Sequence, residues 1–153
     1  MFKLCRGQSC TLDLAREDLA KWCGNLSDAE LNARPANLAP VAFHIRHISR
    51  SIDRLLTYAE GKELDEAQMD ALRSELAPCP GRDELFQELA GALEQGTSRV
   101  RAFDPNALEG SRTVGKKRLP TTVGGLLVHI AEHTQRHVGQ AITLAKILVA
   151  SRK

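Results

Sequence analysis

The sequence predicts an all-α chain folded as a four-helix bundle, with a long crossing loop before the last helix. Three observations carry this. Four long segments place apolar residues at helical spacing, no segment alternates with period two over a useful length, and glycine and proline clusters separate the helical stretches. At 153 residues the chain fits one domain, residues 1–153, and buries roughly 70% of its unfolded surface, enough for one sizeable core. Four amphipathic helices satisfy that core by packing on one another.

The first helix spans about Thr11 to Leu26, with Leu12, Ala15, Leu19, Trp22, Cys23 and Leu26 on one stripe. Ser27-Asp28-Ala29-Glu30 has the Ser-x-x-Glu form of a capping box, so a short helix restarts there. The second long helix opens near Pro40, whose fixed φ and missing N–H suit a first turn. It carries Val41, Ala42, Ile45, Ile48, Ile52, Leu55, Leu56 and Ala59 inward and ends at Gly61. Asp65 to Leu76 reads as a mostly polar helix stopped by Pro78-Cys79-Pro80-Gly81. The third long helix covers about Arg82 to Phe103 and is stopped by Asp104-Pro105-Asn106. Residues 104–120 form a polar loop with room for a hairpin around Val114-Gly115. The fourth long helix starts at Thr121 or Thr122, either a suitable N-cap, and continues to about Ala150.

Composition removes several classes of function. Lys+Arg is 21 against Asp+Glu 19, a net charge of +2, too even for a nucleic-acid binder that neutralises phosphates over one face. Hydrophobic residues at 42% and charged residues at 26% are those of a globule rather than a disordered chain. No apolar run approaches the roughly 20 residues that span a bilayer. The start, Met1-Phe2-Lys3-Leu4-Cys5-Arg6, lacks the apolar core of a signal peptide, so the expected compartment is the cytoplasm. Cys5, Cys10, Cys23 and Cys79 form no Cys-x-x-Cys pair and read as free thiols, Cys23 packed in a helix and Cys79 incidental in a connector.

All five histidines fall on two helices: His44 and His47 on the second, His129, His133 and His137 on the fourth. Residues i and i+4 project from one helix face about 6 Å apart along the axis, and two imidazoles so placed can share an ion at bonds of roughly 2.1 Å. On a helical wheel the inward face of the fourth helix is set by Leu126, Ile130, Ala141, Leu144 and Leu148. His137 lies within about 30° of its centre, His133 within about 70° and His129 beyond about 100°. Two imidazoles turned toward an apolar core need partners; hydrogen bonds within the core supply them on one reading, and a shared metal ion, the reading favoured by two histidines at i and i+4 with a further pair elsewhere, on the other. On the second helix the wheel puts His44 about 75° and His47 about 135° from the centre, a mild preference for His44 as a third ligand.

Two other motifs compete. His129-Ile130-Ala131-Glu132-His133 has the H-x-x-E-H form of inverted zinc peptidases, but Glu132 lies opposite the apolar face. A di-iron carboxylate bundle needs Glu-x-x-His pairs, which are absent. The basic run Lys116-Lys117-Arg118 reads either as a solvated loop or as a contact for an anionic ligand over the site mouth.

The stretch Phe43-His44-Ile45-Arg46-His47-Ile48-Ser49-Arg50-Ser51-Ile52-Asp53-Arg54-Leu55, with Leu127-Val128-His129-Ile130-Ala131-Glu132-His133-Thr134-Gln135-Arg136-His137-Val138-Gly139-Gln140, resembles the DinB-like superfamily, which includes YfiT-type proteins. Leu26 to Leu31 followed by Arg34-Pro35 is similar to that family's approach to the second helix. The resemblance implies a bundle of the DinB/YfiT-like type that binds one divalent metal ion through three histidines, with positions left open for water or substrate. In the family pattern the upstream ligand directly precedes an aliphatic and a small residue, which matches His47; the downstream pair matches His133 and His137. Position 138 is valine where many relatives carry arginine.

Characterised relatives include metal-dependent thiol transferases and a thiol-dependent isomerase. The resemblance therefore implies a metal-dependent thiol S-transferase, or a related hydrolase, acting with a low-molecular-weight thiol and a small electrophile. Zinc or nickel is the expected ion because imidazole suits both, with iron or manganese as alternatives. A homodimer is expected, and neither nucleic acid nor membrane is an expected partner. The rival reading is a non-catalytic metal-binding, stress-associated protein.

Overall fold

The computed structural model describes the backbone of residues 4–152 and the side chains from residue 11 to residue 152, so the thiols of Cys5 and Cys10 and the segment before Leu4 lie outside the described residues. The chain is mostly helical: α1 (Leu4–Cys23), α2 (Asp28–Asn32), α3 (Val41–Ala59), α4 (Glu66–Arg73), α5 (Arg82–Arg101) and α6 (Val123–Ala150), with one hairpin of β1 (Ser111–Val114) and β2 (Leu119–Thr122). α1 begins about two turns before the apolar stripe that announces it, because Gly7 and Ser9 there carry no helical signal of their own.

The helix ends follow the capping chemistry of the sequence. Ser27 and Glu30 form the reciprocal capping box of α2, and Asp65 with Gln68 forms a second one at α4. Thr122 caps α6 by accepting from the Gly125 N–H. α3 closes in a Schellman turn: Gly61, at φ 78°, donates to the Tyr58 carbonyl, and Lys62 donates to that of Thr57.

The four long helices share one core. Leu12 and Leu19 of α1, Ile45, Ile48, Ile52 and Leu56 of α3, Leu89 and Leu93 of α5, and Leu127, Ile130 and Val138 of α6 are all buried in it. α3 packs against α5 and α6, and α1 packs against the same two. His44 lies beside His137 and His47 beside His133, so α3 and α6 are antiparallel. Arg50 bonds Glu88 and Asp53 bonds Arg99, so α3 and α5 run in the same direction.

Parallel neighbours require the chain to return between them, and α4 makes that return. Its Gln68 bonds Asp53 and Thr57 near the C-terminal end of α3, while Ala77 beyond it is bonded by Arg46 near the N-terminal end. The polar helix of the sequence is thus laid along α3, and the turn that follows it arrives beside the histidines. The loop after α5 instead folds into the β1–β2 hairpin, with Ser111 opposite Thr122 and Val114 opposite Leu119. Among the described residues no helix is long and apolar enough to cross a membrane.

Cys23 is fully buried, as its register requires. Cys79 is also buried rather than an incidental loop thiol: its N–H donates to Asn32 Oδ1 at 2.9 Å, and Asn32 Nδ2 approaches its carbonyl and sulfur at 3.3 and 3.4 Å.

Candidate metal centre

α3 and α6 cross so that one turn of each presents histidines to the other. His47, His133 and His137 each offer a ring nitrogen, and these three atoms lie within 4.8 Å of one another, a group that could hold a metal ion. His47 Nε2 is 2.8 Å from His133 Nε2. His44 stands directly behind, 6% exposed, with its Nδ1 3.0 Å from His137 Nδ1. Phe43 stacks on His47 at a centroid distance of 5.3 Å and meets the edges of His44 and His137, forming an apolar wall. His129 is exposed, its ring 5.4 Å from His133, and Glu132 is exposed as well.

Burial sets the charge of this group. Desolvation, followed by the charge of His47, pushes His44, His133 and His137 down to about 4. At neutral pH each is an uncharged imidazole with a lone pair to give, which is the protonation state a metal requires.

A buried carboxylate adjoins the cluster. Glu75, 4% exposed, accepts from His47 Nδ1 at 2.7 Å through one oxygen and from Arg54 Nη1 at 2.7 Å through the other. Burial works to raise the Glu75 carboxyl, but the hydrogen bonds from His47 and Arg54 and their charges outweigh it and hold the group below the usual carboxylate range. Arg46 Nη1 donates to the carbonyls of Ser74, Glu75 and Ala77 at 3.4, 3.3 and 2.6 Å. Arg50 donates to the Ala71 carbonyl at 2.6 Å and to Ser74 Oγ at 2.9 Å.

The basic run Lys116-Lys117-Arg118 does not overhang the histidines. It forms the hairpin turn, beside a cleft lined by Tyr58, Lys62, Arg112 and Lys116 at the C-terminal end of α3. Tyr58 is eleven residues along α3 from His47, or about 16 Å at 1.5 Å per residue. The reading of a contact over the site mouth is thereby corrected: the loop belongs to the other end of α3 because α6 starts there.

The DinB superfamily model matches residues 11–141. The chain belongs to the DinB superfamily. All five histidines, Glu75 and the three arginines lie within the matched DinB region. No curated protein matches the chain. Among solved structures the fold is similar to that of a protein described as the conserved protein of locus from Enterococcus faecalis, with a TM-score of 0.79 and 20% identity over 99% of this chain and 100% of that one. At that identity the likeness concerns the fold.

Sequence reasoning about this DinB chain missed Glu75 and the arginines that surround it. Arg46, Arg50 and Arg54 recur at i, i+4 and i+8, a spacing that reads as a solvated helix face. Their partners are mostly backbone carbonyls, which leave no mark in a sequence. Glu75 follows a polar helix and looks like any surface glutamate there.

Proposed function

We propose that His47, His133 and His137 hold one divalent metal ion, zinc or nickel first, and that the chain is a metal-dependent enzyme of the four-helix DinB/YfiT type. Its reaction is transfer of a low-molecular-weight thiol to a small electrophile, with hydrolysis as the related alternative. The observation that carries this reading is the convergence of three imidazoles from two helices, with one ring nitrogen of each within 4.8 Å of the others. The donor set fits the group: nitrogens on a tetrahedral ion with bonds of about 2.1 Å lie roughly 3.4 Å apart, so the 2.8 Å pair needs to open by only about half an ångström.

A divalent ion held by neutral ligands keeps its full charge and supplies a Lewis-acidic position that lowers the pKa of a thiol or water. The chain's own residues do the rest. His133 and His137 bring lone pairs rather than charge, and His47 sets its Nε2 beside them. Phe43 closes one side of the cluster with an apolar ring and excludes water there. Arg46 and Arg50 hold the connector against α3, so that the site sits on a braced frame.

Elemental analysis tests the metal: about one equivalent per chain is expected, and no uptake on adding zinc or nickel defeats the reading. The reaction is tested by offering the metal-loaded protein glutathione, bacillithiol or mycothiol with monochlorobimane. Metal uptake with neither turnover nor saturable thiol binding moves the assignment to the non-catalytic, stress-associated alternative. The homodimer is part of the same proposal, and light scattering giving a monomer at micromolar concentration removes it.

A further inference from the structure

We propose that Glu75 is the positioning residue of this centre: its carboxylate, anchored by Arg54, accepts a hydrogen bond from His47 Nδ1–H, keeps the ring proton there and leaves Nε2 as the bare nitrogen facing His133 and His137. The metal consequence rests on the three-histidine reading above; the tautomer assignment stands without it.

The argument begins with what a carboxylate can do. It accepts hydrogen bonds and donates none, so the proton in the 2.7 Å contact between Glu75 Oε2 and His47 Nδ1 belongs to His47. A neutral imidazole has one N–H, and with that proton on Nδ1 the lone pair is on Nε2. Nε2 is the atom that points 2.8 Å away at His133. A histidine without such a partner exchanges between tautomers and turns about its side-chain bonds, so part of its population presents the wrong atom. An orienting carboxylate removes both freedoms and makes the ring more basic.

The second half of the argument is the delivery of Glu75. Burying a carboxylate is unfavourable unless both oxygens find partners, and here Arg54 takes Oε1 while His47 takes Oε2. The residue sits on no long helix but in the turn after α4, a short polar segment whose own apolar contribution is small. That turn is fastened along three successive turns of α3: by Arg46 through the Ser74, Glu75 and Ala77 carbonyls, by Arg50 through Ala71 and Ser74, and by Arg54 through the carboxylate itself. A brace between α3 and α4 needs only the backbone contacts and could leave Glu75 at the surface. Three buried or half-buried arginines spent on one turn, with a carboxylate directed at one nitrogen of one histidine, serve the orientation of that ring.

The experiment uses the full chain with 15N-labelled histidine, metal-free, at pH 8. Long-range 15N–1H spectra of the wild type are expected to show His47 protonated at Nδ1 alone. A proton on Nε2, alone or together with one on Nδ1, overturns the proposal. In Glu75→Gln, and in the Arg54→Met/Glu75→Met double variant that leaves no unpaired buried charge, His47 is expected to become a tautomer mixture. Zinc affinity, read by competition with a chromophoric chelator, is expected to fall 10- to 100-fold in both. Gln68→Ala loosens the far end of α4 from Asp53 and Thr57 without touching Glu75, its arginines or His47, and is expected to keep tautomer and affinity within about threefold. Glu75 variants that fold and keep both wild-type readouts overturn the proposal and leave Glu75 a brace. If the wild type takes up no zinc, the metal reading falls, and the spectra still decide the role of Glu75.

Discussion

His44 and His137 face each other Nδ1 to Nδ1 across 3.0 Å, one on α3 and one on α6. Two neutral rings at that distance share one proton, so one donates and the other accepts. When His137 Nδ1–H is the donor, His44 accepts and Nε2 of His137 is left free for the cluster. His44 thus supports His137 from behind, in a position separate from the three grouped nitrogens.

This geometry orders the histidine variants. His47→Ala, His133→Ala and His137→Ala are each expected to abolish stoichiometric metal binding. His44→Ala loses a supporting partner and is expected to weaken binding by about 10- to 100-fold. His129→Ala, at an exposed position, is expected to leave it unchanged. Competition with a chromophoric chelator reads all five. Loss of binding in His129→Ala with retention in His47→Ala would move the site to the H-x-x-E-H motif and remove the transferase reading.

Metal addition and removal should also register in thermal stability. A ligand that binds only the folded chain stabilises it by about 2.7 kcal/mol when its free concentration is 100 times Kd. Zinc or nickel is expected to raise Tm of the wild type and of His129→Ala, and a chelator to reverse it. His133→Ala is expected to show no rise, and a rise of wild-type size there would argue against His133 as a ligand.

The two glycines inside α5 are expected to respond oppositely to alanine. A Cβ on Gly96 would stand 2.7 Å from Ile52 Cγ2, with Leu12 Cδ1 at 3.7 Å, so α1, α3 and α5 approach one another at this point. Gly96→Ala is expected to cost about 1–3 kcal/mol as those side chains are forced from their positions. Gly91 meets nothing within 4 Å, and Gly91→Ala is expected to add about 0.5–1 kcal/mol from helix propensity alone. Urea denaturation of both variants checks the pair.

Where a signal was local, it could be read from the sequence. Ser27 with Glu30, Thr122 and Gly61 mark helix ends through chemistry confined to a few neighbouring residues, and the structure uses each as read. The wheel on α6 also separated His133 and His137, which are half-buried, from exposed His129, because one helix face is a local property. On α3 the same wheel favoured His44 over His47. His44 is indeed the more buried, but it is His47, on the polar flank, that meets His133 and His137, because the α4 return covers that flank. Only the tertiary path of residues 74–77 brings Glu75 to His47, and no spacing rule connects residues 28 apart.

Cys23 supplies a prediction about pH that is independent of the metal. The side chain is fully buried, and burial pushes its thiol from an ordinary 9.0 up to about 12. The folded state therefore holds the proton more tightly than the unfolded state. Its contribution to stability is complete below pH 9 and is lost as pH rises from 9 toward 12, where the unfolded chain ionises and the folded chain does not. At pH 9 about half of any unfolded Cys23 is thiolate, while the native thiol remains protonated and enclosed. Alkylation of Cys23 by iodoacetamide at that pH, followed by peptide mass spectrometry, is expected to proceed only through opening of the fold, with a rate that rises with urea as the global unfolding constant does. Fast, urea-independent labelling would show that the α1 side of the core admits water and reagent, and the raised thiol pKa would be wrong with it.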